Sequence, residues 1–270
     1  MIFDGKQFAA LLAAELKKEV ATLPKTPVLG VCIVGENPVS GRYVGLKKQV
    51  AQEIGIQIQI NQFPSSISTE DLVSAITEHI KNTDGYIVQL PLPTHIDRSA
   101  VLDAVPIAYD IDMLSCTATQ AYYKGVTHIL PPVVGVCAEI LSHHAIPLKG
   151  KKTVVIGNGQ LVGKPVAHWL RTQGAEVVVV ERDDAIKEKT IDAEIIVLGA
   201  GAPGILTPDM ISEGVCILDA GTSEAGGSLK GDADPHCAEK ASLFTPVPGG
   251  IGPVTVVMLL KNLITLAQKH

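Results

Sequence analysis

Short apolar runs alternate with longer amphipathic ones along this chain, and that order restricts its fold more than any other feature. Val28–Val34 is apolar throughout, with Gly30 its smallest member. Residues 38–54 then carry helical spacing and stop at Gly55. Residues 56–60, Ile-Gln-Ile-Gln-Ile, alternate strictly, as a half-exposed strand does. Residues 69–80 read as a helix and 85–90 as a strand. Strand, helix, strand, helix, strand in this order predicts a parallel sheet with helices on its faces.

A second series of the same kind begins near Lys152. Residues 153–156 form a strand, followed by a glycine-rich turn and a helix to about Gln173. Further strands fall at 176–180, 195–198 and 215–218. Residues 133–144, between Pro132 and Pro147, form a helix between the two series, and an amphipathic helix over 8–20 precedes the first. The expectation is an α/β protein of two lobes with parallel-type sheets and a cleft between them. The first lobe comprises 1–132 plus 253–270. The second, 133–252, is a Rossmann-like dinucleotide-binding domain.

Composition removes several function classes. The net charge of −6 gives no electrostatic footprint for a nucleic-acid partner. No apolar run reaches the length of a membrane span, and the first residues lack the basic-then-apolar order of a signal peptide. Cys32, Cys116, Cys137, Cys216 and Cys237 are widely spaced and form no Cys-x-x-Cys pair, so neither a disulfide framework nor a zinc site is expected. A cytoplasmic setting follows as the expectation.

Five segments carry candidate chemistry. Tyr43 and Lys47 are four apart on a helix and share a face, with Ser40 one turn earlier. That face suits either solvent or a flat heterocycle with an amine beside it. Gln89 ends a strand of the first sheet, at the edge where ligands meet open parallel sheets, and Pro91 and Pro93 turn the chain away. Asp110 and Asp112 flank Ile111 as caps or as a ligand clamp; nothing nearby supplies the further oxygens of a metal site. Gly157-Asn158-Gly159-Gln-Leu-Val162-Gly163 follows a strand and opens a helix, so it forms either a structural turn or a cradle for pyrophosphate. At the end of the next strand stand Glu181 and Arg182, an acid suited to ribose hydroxyls and a cation suited to a 2′-phosphate. The fifth, residues 245–255, reads Thr-Pro-Val-Pro-Gly-Gly-Ile-Gly-Pro-Val-Thr. It is a rigid loop with bare backbone before a C-terminal helix.

Taken in order, Ser40-Gly-Arg-Tyr43-Val-Gly-Leu-Lys47, Val88-Gln89-Leu-Pro-Leu-Pro93, Asp110-Ile-Asp112 and the 245–255 loop resemble the bifunctional methylenetetrahydrofolate dehydrogenase/methenyltetrahydrofolate cyclohydrolase family. The resemblance covers nearly the whole chain. It implies oxidation of 5,10-methylenetetrahydrofolate with NAD(P), then hydrolysis of the methenyl form to 10-formyltetrahydrofolate. It further implies Lys47 as the catalytic lysine, Gln89 as its partner, Tyr43 stacked on the pterin and Asp112 on the amino-pyrimidine edge. Ser40, Leu90, Pro91, Pro248, Gly249, Gly250, Gly252 and Pro253 complete the implied substrate site. The implied cofactor site is Gly157, Asn158, Gly159, Val162, Gly163, Glu181, Arg182 and Thr222, taking NADP with NAD as an option. No metal and a homodimer are also implied.

The chain departs from the family pattern in four places, one of them Glu181-Arg182-Asp183, which stands where the family carries a His-Ser pair. In the others, Asn158-Gly159 replaces an Arg-Ser pair, Leu130–Gly135 replaces Pro-Cys-Thr-Pro-x-Gly, and Met113 replaces a glycine. The missing Arg-Ser pair, with Glu181, makes NADP only narrowly favoured, or NAD accepted, while the Leu130–Gly135 change bears on dehydrogenase geometry at the nicotinamide end. These departures bear on redox function as a whole. They also keep two alternatives in view: a cyclohydrolase with impaired redox function, and a non-catalytic pterin- or nucleotide-binding protein.

Overall fold

The computed structural model describes residues 1–35, 38–181, 185–225 and 228–269; the side chains of residues 38–40, 42–43, 224–225 and 228 lie outside the description as well. The chain runs α1 (Gly5–Val20), β1 (Val28–Val34), α2 (Pro38–Ile54), β2 (Gln57–Phe63), α3 (Thr69–His79), β3 (Gly85–Val88), α4 (Arg98–Asp103), α5 (Cys116–Tyr123) and α6 (Pro132–His143). It continues with β4 (Lys152–Ile156), α7 (Gly163–Thr172), β5 (Glu176–Val180), α8 (Ile186–Thr190), β6 (Ile195–Leu198) and β7 (Cys216–Asp219). A hairpin of β8 (Ser223–Ala225) and β9 (Ser228–Lys230), then β10 (Leu243–Phe244) and α9 (Ile251–Ala267), complete it. Two compact units result: residues 10–132 with 256–270, and residues 1–9 with 133–255.

In the first unit the sheet order is β2-β1-β3, all parallel. β1 is buried almost throughout, as its unbroken apolar run requires, whereas β2 is largely exposed. The close approach of β3 to β1 demands a glycine. A Cβ on Gly30 would lie 2.2 Å from the Tyr86 ring, which crosses it. Residues 109–110 extend this sheet: Tyr86 and Asp110 form a parallel bridge, and the Tyr86 amide donates to the Tyr109 carbonyl at 2.7 Å. Leu72, Ile76 and Ile80 pack with Cys32, Val88 and Val101 beneath it. Asp84 is buried at the sheet's lower edge, where its carboxylate accepts the Val28 amide at 2.8 Å and pairs with Lys25.

In the second unit the order is β10-β7-β6-β4-β5, again parallel. The chain leaves β4 for β5 on one side and returns to β6 on the other, so β4 marks the reversal of strand order where such sheets take ligands. β6 and β7, central in the sheet, are fully buried; β5 at the edge is exposed on one face. The loop after β4 packs backbone to backbone. A Cβ on Gly163 would sit 2.0 Å from the Gly157 carbonyl oxygen, and one on Gly157, at φ +105°, 2.6 Å from the Gly199 oxygen.

Two sequence expectations change here. Residues 1–9 belong with the second unit, not with the following residues. Ile2 bridges Phe244, the Phe3 amide donates to the Phe244 carbonyl at 2.9 Å, and the Gly5 amide donates to the Gly249 carbonyl at 2.9 Å. Phe3 packs edge-on against His144 and Phe8 at a tilt against His143, so those histidines belong to an aromatic cluster as well as to the end of α6. The second change is at α9, which begins at Ile251. Gly252 and Pro253 are therefore helical, and Pro253 falls in the first turn, where a missing N–H leaves no bond unmade.

The loop packing makes a prediction. Gly163→Ala should lower stability by about 2–3 kcal/mol through overpacking, a fall of roughly 5–10 °C in melting temperature. Gly159→Ala should be neutral, because a Cβ there meets nothing within 4 Å. Thermal melts of the two variants check this; equal melting temperatures would refute the packing argument.

Candidate active site and dinucleotide site

In the first unit the sequence candidates converge at the carboxyl edge of the three-stranded sheet. β3 ends at Val88, and the Gln89 amide still donates to the Cys32 carbonyl at 2.9 Å, so the backbone at Gln89 is fixed by the sheet. Its side chain is fixed at both ends. Gln89 Nε2 donates to the Leu90 carbonyl at 2.8 Å, and Gln89 Oε1 accepts from Lys47 Nζ at 2.9 Å. Lys47 projects from the third turn of α2 and is half-buried. Burial pushes its pKa down, and the carboxylate of Asp112 acts in the opposite sense.

Asp112 is raised to about 6, because burial outweighs the attraction of Lys47, with Asp110 adding repulsion. Asp110 and Asp112 do different things. Asp110 is buried and accepts the Ser115 amide at 2.8 Å and the Leu114 amide at 3.3 Å, so it ties down the turn. That turn holds Met113 at φ +60°, a left-handed conformation that a glycine adopts freely and a methionine only under constraint. The Met113 side chain is buried, which compensates for the backbone conformation. Asp112 is left to share a site with Lys47. Lys47, Gln89, Leu90 and Asp112 are therefore brought together. Pro91 follows them at the surface. The side chains of Ser40 and Tyr43 lie outside the described residues.

The loop of residues 245–250 is held within the second unit. Thr245 Oγ1 accepts the Asp219 amide at 2.7 Å, the Gly250 amide donates to the Pro246 carbonyl at 2.7 Å, and Gly249 adopts φ +101°. Pro248 and Gly252 are exposed, Gly249 and Pro253 half-buried, and Gly250 is buried.

The dinucleotide candidates lie at the carboxyl edge of the second sheet. Gly157, Asn158, Gly159 and Val162 line the loop after β4, and Gly163 opens α7, whose start has no side-chain cap. Uncapped amides at a helix start suit an anion. Glu181 follows β5, and Asn158 Nδ2 donates to its Oε1 at 2.9 Å. Thr222 is exposed after β7; Arg182 lies outside the described residues. A backbone-lined loop, an uncapped helix and an acid at the next strand end fit a dinucleotide.

Three further aspartates stand near this edge, and two of them have partners far away in the chain. Asp219, Asp232 and Asp234 read as turn residues around the 226–227 hairpin. Asp234 does cap a short turn at the His236 amide. Asp232, however, is fully buried, and its carboxylate accepts the amides of Ala200, Gly201 and Ala202 at 2.7–2.9 Å. It therefore shapes the loop after β6, which touches the Gly157 loop. Asp219 accepts the Gly221 and Ala233 amides, and burial raises it to about 6. Only the pairing of distant loops in the sheet reveals these contacts. His95 and Asp97 are structural as expected: His95 Nε2 contacts the Ile67 carbonyl, and Asp97 caps α4. Among the described residues no group of His, Cys, Asp or Glu is arranged to hold a metal, and no helix is long and apolar enough to cross a membrane.

Comparison with known proteins agrees with this geometry. Residues 3–112 match the catalytic domain of the tetrahydrofolate dehydrogenase/cyclohydrolase family, and residues 131–270 match its NAD(P)-binding domain. The bifunctional protein FolD of Halothermothrix orenii is 38% identical over all of this chain and 98% of its own length. Among solved structures, the bifunctional methylenetetrahydrofolate dehydrogenase/cyclohydrolase FolD from Campylobacter jejuni is 32% identical, with a TM-score of 0.95 over 100% of this chain and 99% of that one. The Trypanosoma brucei enzyme, complexed with NADP cofactor and an inhibitor, is 31% identical, with a TM-score of 0.92 over 100% and 97%. The chain belongs to the tetrahydrofolate dehydrogenase/cyclohydrolase family.

Proposed function

We propose that this protein oxidises 5,10-methylenetetrahydrofolate to the methenyl form with NADP or NAD, and hydrolyses the methenyl form to 10-formyltetrahydrofolate. The observation that carries the reading is the hydrogen-bonded pair Lys47–Gln89 with Asp112 beside it. Hydrolysis adds water to a cationic bridge carbon, releases one proton and transfers another to the ring nitrogen that leaves. A lysine with a lowered pKa exchanges protons near neutral pH more readily than an exposed one. Gln89, anchored to the Leu90 carbonyl, presents its carbonyl oxygen to Lys47 and so orients the amine.

Asp112 is the acceptor for the amino-pyrimidine edge, since a carboxylate accepts two parallel N–H bonds. By the family pattern, Tyr43, one helical turn before Lys47 in the sequence, is the residue that stacks on the ring, and Ser40, Leu90 and Pro91 are further substrate residues. By the same pattern, Pro248, Gly249, Gly250, Gly252 and Pro253 are substrate-binding residues as well. Gly157, Asn158, Gly159, Val162, Gly163, Glu181, Arg182 and Thr222 hold the dinucleotide. When bound, its nicotinamide supplies the hydride acceptor. The oxidation asks the protein for alignment and exclusion of water and for no general base.

We further propose that the protein works as a homodimer in the cytoplasm. All five cysteines are free, four of them buried, which supports a reducing compartment. Sedimentation of the purified protein tests the dimer.

Lys47→Met should lower methenyl hydrolysis by about 10²–10⁴-fold, the usual worth of a positioned acid or base. Hydride transfer, followed by nicotinamide absorbance, should fall much less. Wild-type hydrolysis in the variant would defeat the assignment of Lys47. A variant that had lost both activities would assign Lys47 to substrate binding instead.

Asp112 supplies a pH test. Its pKa in the fold is raised, so the folded protein takes up this proton on acidification before an ordinary carboxyl would. The acceptor carboxylate is present above about pH 6 and lost below it. KM for the folate substrate should therefore rise as pH falls through 6. Asp112→Asn should bind weakly at every pH and show no such limb. An unchanged KM profile in that variant would remove Asp112 from substrate recognition.

A further inference from the structure

Glu181 and Asn158 appear separately in the sequence, 23 residues apart. In the fold they form one unit. β4 and β5 pair with Ile156 opposite Val180, and the Gly157 amide donates to the Val180 carbonyl at 2.8 Å. The next residues on each strand, Asn158 and Glu181, are then adjacent, and the amide of one holds the carboxylate of the other at 2.9 Å. Both are exposed, so the acid is oriented and still reachable by a ligand.

On the dinucleotide reading above, the pyrophosphate meets the loop and the start of α7. The adenosine ribose then meets the end of β5, where Glu181 stands. A 2′-hydroxyl can donate to a fixed carboxylate. A 2′-phosphate offers only acceptors at the ring and about two negative charges. The surrounding charge does little to offset that mismatch. The segment 157–163 contains no cation, and Lys164, in the first turn of α7, is exposed. The sequence Glu181-Arg-Asp-Asp184 carries three carboxylates to one guanidinium; its last three residues lie outside the described structure and enter only as charge.

We propose that Glu181, positioned by Asn158, is the residue that sets nucleotide specificity in this chain, and that NAD binds at least as tightly as NADP. This inference rests on the dinucleotide site of the preceding section. It deepens that reading by naming the nucleotide and the residue that selects it. Asn158 is a positioning residue: it acts through the carboxylate it holds.

The test is binding of NADH and NADPH to the purified protein, by calorimetry or nicotinamide fluorescence, without folate. Wild type should bind NADH as tightly as NADPH or tighter. Glu181→Gln, a surface change of similar size, should tighten NADPH by about tenfold or more while weakening NADH, the range expected of one charge contact. Asn158→Ala should weaken NADH a few-fold and leave NADPH nearly unchanged. Added salt should narrow the difference in wild type, since the groups are exposed. Tight NADPH with weak NADH in wild type, or an unchanged ratio in Glu181→Gln, overturns the specificity assignment alone. Failure of both nucleotides to bind overturns it together with the dinucleotide site on which it stands.

Discussion

Parallel pairing is the constraint from which the sites follow. In each of the two larger sheets every strand points the same way, so the loops that follow their strands emerge at one edge. Gln89 and the 110–112 turn come out beside β1 and β3. The loops after β4, β5, β6 and β7 emerge together at the edge of the second sheet. Helices must carry the chain back, which places Lys47 on a crossover helix and the glycine loop at the start of another. The sheets fix the backbone from which these residues project.

Small carboxylate-centred networks make that edge rigid. Asp110 takes the amides of its own turn, and Asp232 takes three successive amides of the 200–202 loop. A buried carboxylate with several N–H donors is well satisfied, whereas an unpaired one would be costly. These acids are structural because their oxygens are already used. Asp112, two residues from Asp110, differs because its field is that of Lys47 and not of its own backbone. Environment, not residue type, divides the two roles.

Much of this was legible in the sequence because the governing physics is local. Most strands of the two larger sheets follow from apolar runs, β2 from alternation, and α2 and α3 from helical spacing, with Gly55 as the stop of α2; the two-residue β10 and the Ser68 cap of α3 carry no such signal. The pairing of Lys47 with Gln89 came from the family pattern, since nothing in the spacing of residues 42 apart announces a hydrogen bond. What was not legible depends on distant partners. Asp232 was read as a hairpin residue because its partners lie some thirty positions away. The short helices α5 and α8 are too brief for a periodic signal, and α4 announces only its start, through the Asp97 cap. The start of α9 was placed late because Gly252 and Pro253 resemble loop residues, though the first helical turn tolerates both.

The bridge between Ile2 and Phe244 closes a span of nearly the whole chain. Residues at the beginning complete a unit whose other strands are made last, and they brace Gly249 in the rigid loop. During synthesis, at roughly 5–20 residues per second, residues 1–9 wait on the order of 12–48 s for that partner. The second unit thus cannot finish until residue 244 has been made. Residues 10–132, by contrast, contain all three strands of their own sheet and lack only residues 256–270, most of α9 and the tail after it. The order of manufacture therefore favours an early, nearly complete first unit and a late closing strand.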